Sequence, residues 1–247
     1  MAPPLARLAN LSFAAGVFPS HYKLGHVIPL LKKLGMPKKD PSSYGPITNL
    51  CTFSKILEIL VLVRFRPHVQ ATGNLRFVQS ACRPGYSTES ALLKVVSDIE
   101  RAAGNGMCTV LLAMDISVAF DVVNHSILYR RIESDFEVTG TALSWLRSFV
   151  CSVTVRIAVG SMMSDTCALS SGVPQCSVLG PLLFAMYVSE IDAVIQLHSV
   201  QYHQYADDLM IYLSLVPKAF GNLSSLVGCS DAVPCRVDVV LAERAVA

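Results

Sequence analysis

The 247-residue chain lacks several features that would assign it to a common class of protein. Only 15% of its residues are charged and 52% are hydrophobic, which excludes an intrinsically disordered chain. No apolar run reaches the roughly 18–20 residues that a membrane helix requires, so we expect no membrane partner. The sequence contains no internal repeat. Its length suffices for a substantial core, in one large domain or two small ones.

Cysteine pairs of the CxxC type are also missing, although the chain has 8 cysteines. Scattered cysteines without such pairs favour reduced thiols inside a cell, and we expect an intracellular protein of the nucleus or cytoplasm. His198 and His203 have no second pair of ligands at a spacing typical of zinc sites. The short apolar segment 11–18 runs directly into a basic segment, so it is not interpreted as a secretory signal.

The net charge of +2 conceals an uneven distribution. Residues 1–101 contain 13 Lys or Arg against 5 Asp or Glu, whereas residues 102–247 contain 7 against 13. A basic first part and an acidic second part suit a protein that binds phosphates with one and metal ions with the other. Ordinary solvated surfaces explain the same distribution equally well.

Hydrophobic periodicity predicts a mixture of helices and strands. Ser54 is a candidate cap for the first predicted helix, whose apolar face would include Ile56, Leu57, Leu60 and Val63. A continuous apolar strand ends at Asp115, as expected of a central strand covered on both faces. We predict strands at 23–31, 109–114 and 151–159, helices at 53–66, 90–103, 126–132, 141–149 and 179–194, and a hairpin at 204–212.

The hairpin (QYADDLMIY) contains two adjacent acids, Asp207 and Asp208, in an apolar setting. Aspartates are rarely found in such surroundings unless a cation or a partner neutralises them. A fold that brings Asp207 close to Asp115 would create a two-carboxylate site for Mg²⁺. Because successive residues of a strand face opposite ways, we assign the metal to Asp207 and an auxiliary catalytic role to Asp208.

Three segments in this order resemble the A, B and C motifs of reverse transcriptases of non-LTR (LINE-type) retrotransposons. They are residues 113–128 (AMDISVAFDVVNHSIL), 172–184 (GVPQCSVLGPLLF) and 204–212. Upstream, residues 10–33, 41–58 and 78–93 (VQSACRPGYSTESALL) resemble the fingers region of the same family. The resemblance covers roughly residues 8–213.

The resemblance implies a role for each matching residue. Asp115 and Asp207 would bind two Mg²⁺ ions, for which Mn²⁺ can substitute, and Tyr205 would support the primer end. Phe120 would exclude a ribose 2′-hydroxyl, although core packing is its ordinary alternative. Gln175 would lie near the incoming nucleotide. The remaining basic candidates, for triphosphate or template backbone, are Arg83, Lys32 and Lys33, and Arg83 could equally be an exposed turn residue.

Several positions depart from the family pattern. Cys176 stands where the family has a glycine, and its side chain would intrude on a ligand that approaches the backbone. Gly45 replaces an arginine of the fingers region. Nothing after Leu215 resembles the downstream lysine-bearing motif or the thumb. The resemblance therefore identifies the chain as a partial and degenerate copy.

The expected fold is α+β, a right-hand polymerase with an antiparallel palm sheet backed by helices and without a thumb. We expect a basic, fingers-like region at 1–106, a palm at 107–215 and a tail of unclear structure at 216–247. The implied function is RNA-directed DNA synthesis from dNTPs on an RNA template with a DNA primer, in an unknown oligomeric state. A non-catalytic nucleic-acid-binding relic is the alternative, and a metal-dependent phosphohydrolase is a third hypothesis.

Overall fold

A computed structural model describes most of the chain. The described residues are 2–75, 78–81, 83, 85–116, 119–174, 176–216, 223–233 and 236–240. They form two compact units, each assembled from two stretches of sequence. The first unit comprises Met1–Asn74 and Phe120–Met186, and the second comprises Leu75–Ala119 and Tyr187–Ala247. The division into fingers, palm and tail stays a prediction.

Helices and strands alternate along the chain without a simple repeat. In chain order they are α1 (Ala2–Ala15), β1 (Leu24–Leu31), β2 (Tyr44–Asn49), α2 (Thr52–Ala71), α3 (Thr88–Gly104), β3 (Cys108–Asp115), α4 (His125–Ser134), α5 (Gly140–Val150), β4 (Thr154–Val159), β5 (Met162–Met163), β6 (Cys167–Ala168), α6 (Gly180–Tyr187), α7 (Ile191–Leu197), β7 (Gln201–Tyr205), β8 (Asp208–Leu215), α8 (Ser224–Ala232) and β9 (Arg236–Val240).

The first unit contains a mixed sheet with the strand order β2-β1-β4-β5, and β6 also pairs with β4. Strand β1 runs antiparallel to β2 and parallel to β4. An aromatic cluster forms part of its core, where Trp145 stacks on Phe149 and meets Phe18 edge-on. The buried Trp145 indole donates a 2.8 Å hydrogen bond to the Ser12 hydroxyl, so its polar group is satisfied.

The second unit is built on an antiparallel sheet with the order β7-β8-β3-β9. Alternate residues of β3, namely Val110, Leu112 and Met114, are buried in a core that α7 and α8 complete. This period of two indicates that one sheet face packs against those helices. Helix α3 also packs against the sheet, and the Tyr212 hydroxyl of β8 donates to the Asp98 carboxylate of α3 at 2.6 Å.

Most predicted elements are present, but three details were wrong. Helix α2 begins at Thr52, and its Ser54 hydroxyl donates to Glu58 one turn later instead of capping the helix. Of the predicted apolar face of α2, Leu57 is buried, but Leu60 and Val63 are exposed, because the helix buries Phe65 and Val69 in their place.

The third error concerns the long apolar segment that was predicted as one helix over 179–194. It forms two helices, α6 and α7, with turn residues 188–190 between them. Among the described residues, Gly180–Leu197 is one candidate membrane span by length and composition, with a mean hydropathy of 1.2. Because 44% of this stretch is buried inside the protein and a turn interrupts it, we interpret it as core helices.

Candidate active site

The predicted hairpin is formed by β7 and β8, with Ala206 and Asp207 in the turn between them. Tyr205 and Asp208 are the last pair of the β7–β8 ladder. On its other side, Asp208 pairs with Asp115, the final residue of β3. Directly opposite residues of an antiparallel pair project from the same face. Asp115 and Asp208 therefore lie side by side at one end of the sheet, next to Asp207.

The turn is also bonded to the end of β3. The Ile116 amide donates a 3.2 Å hydrogen bond to the Asp207 carbonyl, which fixes the backbone of the hairpin tip against that strand. Asp115 and Asp208, together with Tyr205, line a cavity of about 370 Å³ that also includes Thr88 of α3. The acidic end of the sheet is thus an accessible pocket with carboxylates in its wall.

Electrostatics at this pocket favour a bound cation. Partial burial raises the pKa of the Asp208 carboxyl, and the neighbouring charges of Asp207 and Asp115 raise it further. Each like charge disfavours ionisation of the next, and a positive charge between them removes that penalty. Hard carboxylate oxygens are the ligands that Mg²⁺ prefers, so the residues present fit a magnesium site.

Within the described part of the chain, no set of three or more acidic, histidine or cysteine side chains encloses a metal position. Magnesium sites of phosphoryl-transfer enzymes characteristically use one or two carboxylates and complete their coordination with water and substrate phosphates. Two protein carboxylates at the end of the sheet agree with that pattern. The assignment of the metal to Asp115 and Asp207, with Asp208 auxiliary, stays a prediction.

The residues predicted to contact the nucleotide are distributed over both units. Phe120 belongs to the first unit, where its half-buried ring packs on Phe184 with centroids 5.0 Å apart. Gln175 lies outside the described residues. The Arg83 guanidinium belongs to the second unit and donates to the Leu75 carbonyl at 2.6 Å, and burial lowers its pKa. Its role in binding phosphate stays a prediction.

Four further residues of the first unit have a defined setting: a helix cap, two lysines and a cysteine. Asn124 caps α4, because its side chain accepts a 3.1 Å hydrogen bond from the Ile127 amide. Lys32 and Lys33 are exposed beside β1, where a phosphate backbone could reach them. Cys176 has a φ of 60°, a left-handed conformation that favours glycine, so the family's glycine suits this backbone.

Two buried side chains that were not predicted from the sequence hold the loops of the second and third motifs in place. The Glu58 carboxylate of α2 accepts hydrogen bonds from the Val178 and Leu179 amides, directly before α6. The Gln79 amide contacts the backbone of Ala206 in the hairpin turn. A charged residue inside the apolar segment 50–63 was a visible signal for Glu58, whereas nothing in the sequence distinguished Gln79.

Two solved structures have a similar fold. A telomerase of Candida albicans, solved with a fragment of telomeric RNA, superposes with a TM-score of 0.61 at 12% identity over 98% of this chain and 46% of that one. An apo telomerase of Candida tropicalis gives a TM-score of 0.59 at 12% identity, over 92% of this chain and 50% of that one. The predicted α+β polymerase fold is therefore confirmed.

The chain belongs to the reverse transcriptase (RNA-dependent DNA polymerase) family, whose sequence pattern matches residues 36–227. It is 35% identical over 170 residues to the probable RNA-directed DNA polymerase from transposon X-element of Drosophila melanogaster, covering 69% of this chain and 18% of that protein. It is 30% identical over 187 residues to the polymerase from mobile element jockey of the same species, covering 76% of this chain and 20% of that one.

These relatives confirm the predicted assignment to reverse transcriptases of LINE-type retrotransposons. A protein of the type-1 retrotransposable element R1DM of D. melanogaster is also 30% identical, over 84% of this chain and 19% of that protein. The chain spans about a fifth of the length of the curated relatives it matches.

Proposed function

We propose that this chain is the part of a retrotransposon polymerase that performs RNA-directed DNA synthesis, joining dNTPs to a DNA primer on an RNA template. One observation carries the proposal: the strand register places Asp115 beside Asp208, at the tip of the Tyr205–Asp208 hairpin. The matched family is described as RNA-dependent DNA polymerases. In this chain, a carboxylate of the first motif and one of the third motif are neighbours at the same end of the sheet.

In the proposed reaction, the primer 3′-hydroxyl attacks the α-phosphate of a dNTP and pyrophosphate leaves. Asp115 and Asp207 would hold two Mg²⁺ ions, or Mn²⁺ in their place, with Asp208 auxiliary. Such ions activate the attacking oxygen and neutralise charge on the leaving group.

The protein's own contribution is positioning and charge. The Ile116–Asp207 backbone hydrogen bond and the β3–β8 ladder hold the carboxylates at a fixed spacing, and the Tyr205 side chain forms the adjacent wall of the cavity. Phe120 and Gln175 are proposed to contact the incoming nucleotide. Arg83, Lys32 and Lys33 are proposed to bind phosphate.

The proposed partners follow from this reaction. A template–primer duplex and dNTPs are the substrates, and we propose a location in the nucleus or cytoplasm. The six cysteines that the structure describes are all unpaired by disulfides, which agrees with a reducing compartment.

Primer extension tests the proposal directly. Purified chain is incubated with poly(rA)/oligo(dT), dTTP and Mg²⁺, and we expect incorporation that Asp207→Ala abolishes. Asp165→Ala, which removes an exposed aspartate in the first unit, is the matched control and should leave incorporation unchanged. Template binding that weakens steeply with salt but yields no incorporation would contradict the proposal and favour the non-catalytic relic. Phosphate release without extension would favour a phosphohydrolase.

A further inference from the structure

The segment at residues 78–81 runs along the outer edge of the active-site hairpin. The Gln204 amide of β7 donates to the Val78 carbonyl at 2.9 Å, and the Ser80 amide donates to the Gln204 carbonyl at 3.0 Å. These bonds form a short parallel bridge that places Gln79 opposite Gln204. The segment and β7 both belong to the second unit, so the contact is internal to it.

The side chain of Gln79 is directed at the turn itself. Its Oε1 accepts hydrogen bonds from the Ala206 amide at 3.2 Å and from the Ala81 amide at 3.1 Å. Its Nε2 donates to the Ala206 carbonyl at 3.4 Å, and the Gln204 Nε2 donates to the same carbonyl at 2.9 Å. Both backbone polar groups of Ala206 are therefore bonded to side-chain amides that are almost fully buried.

Ala206 needs this support because its conformation is unfavourable. Its φ of 55° lies in the left-handed region, which residues with a Cβ rarely adopt. The next two residues are Asp207 and Asp208, and the Asp208 carboxylate is repelled by the charges of Asp207 and Asp115. Without external bonds, strain and charge repulsion would both move the turn away from this geometry. A buried side-chain amide with a donor and an acceptor can bond both backbone polar groups of one residue.

We propose that Gln79 is a positioning residue, which fixes the backbone of Ala206 and thereby the direction of the Asp207 and Asp208 carboxylates. Its contribution to catalysis rests on the proposed polymerase function, whereas its contribution to the geometry of the turn does not. Gln79 acts through the turn and does not itself contact substrate. Precise placement of this kind matters because a displacement of about 1 Å at a reacting group can reduce a rate about 100-fold.

Ser80 provides a matched comparison on the same segment. Its side chain is fully buried, and its hydroxyl bonds the ring of His203 at 3.0 Å without contacting the turn. Removing the Ser80 hydroxyl weakens the attachment of the segment to β7 and leaves the bonds to Ala206 in place. Ser80→Ala therefore measures general destabilisation, whereas Gln79→Met, which preserves length and removes both polar atoms, measures support of the turn.

Hydrogen–deuterium exchange of the Ala206 and Asp207 amides, in the full 247-residue chain, is the first readout. We expect Gln79→Met to accelerate exchange of the Ala206 amide by about tenfold, the effect of one lost hydrogen bond, and Ser80→Ala to leave it within about twofold. If the Met variant does not fold, Gln79→Glu takes its place in the exchange measurement. It keeps an acceptor for the Ala206 amide and loses the donor, so a smaller acceleration is expected.

Primer extension with a Mg²⁺ titration is the second readout. Gln79→Met should lower kcat by about 10–100-fold, leave the KM for dTTP within about twofold and raise the Mg²⁺ concentration at half-maximal rate. Rates are normalised to the folded fraction, so Ser80→Ala should match the wild type.

The outcomes separate the inference from the function on which it depends. Equal exchange at Ala206 in all variants, or equal loss of normalised kcat in the Gln79 and Ser80 variants, would overturn the positioning role. A wild-type chain without incorporation would overturn the proposed function, and the exchange measurement would still decide whether Gln79 holds the turn.

Discussion

Replacing Glu58 by alanine should destabilise the first unit strongly. The Glu58 side chain is fully buried, and its carboxylate accepts hydrogen bonds from the Val178 amide at 2.6 Å, the Leu179 amide at 3.1 Å and the Ser54 hydroxyl at 3.0 Å. Each buried amide left without an acceptor costs about 1–3 kcal/mol. The two amides and the vacated space together predict a loss of about 3–5 kcal/mol in the free energy of unfolding.

The single tryptophan makes this loss measurable. Trp145 is buried in the same unit as Glu58, so its fluorescence reports the unfolding of that unit in urea. Glu133→Ala is the control, because Glu133 forms an exposed ion pair with Arg147 that is worth about 0–1 kcal/mol. If Glu58→Ala shifted the urea midpoint no more than Glu133→Ala, the argument that Glu58 holds the start of α6 would be refuted.

The same residue gives a prediction about pH. Burial raises the pKa of the Glu58 carboxyl above its ordinary value of 4.5, although its hydrogen bonds lower it in part. A group with a raised folded-state pKa contributes stability that is complete below its unfolded pKa and lost as pH rises through the folded value. The free energy of unfolding should therefore fall as pH rises from about 4.5 through the raised pKa. Glu58→Gln should remove that slope, as urea titrations at several pH values would show.

Three further predictions concern other parts of the chain. Ser87→Ala breaks the capping box that Ser87 and Ser90 form at the start of α3, which should lower the stability of the helix by about 1 kcal/mol. Hydrogen exchange of the helix amides measures this loss, and unchanged protection would contradict it. Cys176→Gly should raise the affinity for dNTP, because it removes the side chain that would intrude on a ligand approaching the backbone; no gain would reject the proposed defect of motif B. Burial lowers the pKa of His203, and the nearby charge of Lys94 lowers it further, whereas the charge of Asp98 raises it in part. The second unit should therefore lose stability as pH falls below about 6.5 through that pKa, and His203→Phe should remove this loss from acid titrations monitored by exchange.

Local patterns in the sequence were sufficient for the parts of the fold with strong periodicity. The apolar run before Asp115 predicted β3, and the tetrad at 205–208 between two apolar segments predicted the hairpin. Three motifs in the correct order predicted the family, which the matched sequence pattern confirms. These features depend on residues close together in sequence, so they are visible without a structure.

Features that depend on distant residues were not predictable in this way. The exposure of Leu60 and Val63 reflects which side of α2 is covered, and periodicity alone placed these two residues on the same buried face as Leu57. The turn between α6 and α7 interrupts a segment whose composition favours one continuous helix. Gln79 is separated from Ala206 by 127 residues, and only the bridge between residue 79 and β7 brings them together.

The central claim is that the carboxylates at the end of the β3–β8 ladder form a polymerase active site. Its most direct test is the rate of dTTP incorporation on poly(rA)/oligo(dT) by the 247-residue chain and by Asp115→Asn, which keeps the size of the side chain and removes its charge. We expect template-dependent incorporation by the unmodified chain and a loss of at least about 100-fold in the variant, because a charged ligand of the catalytic centre is removed. Equal rates for the two proteins, or no incorporation by either, would contradict the account.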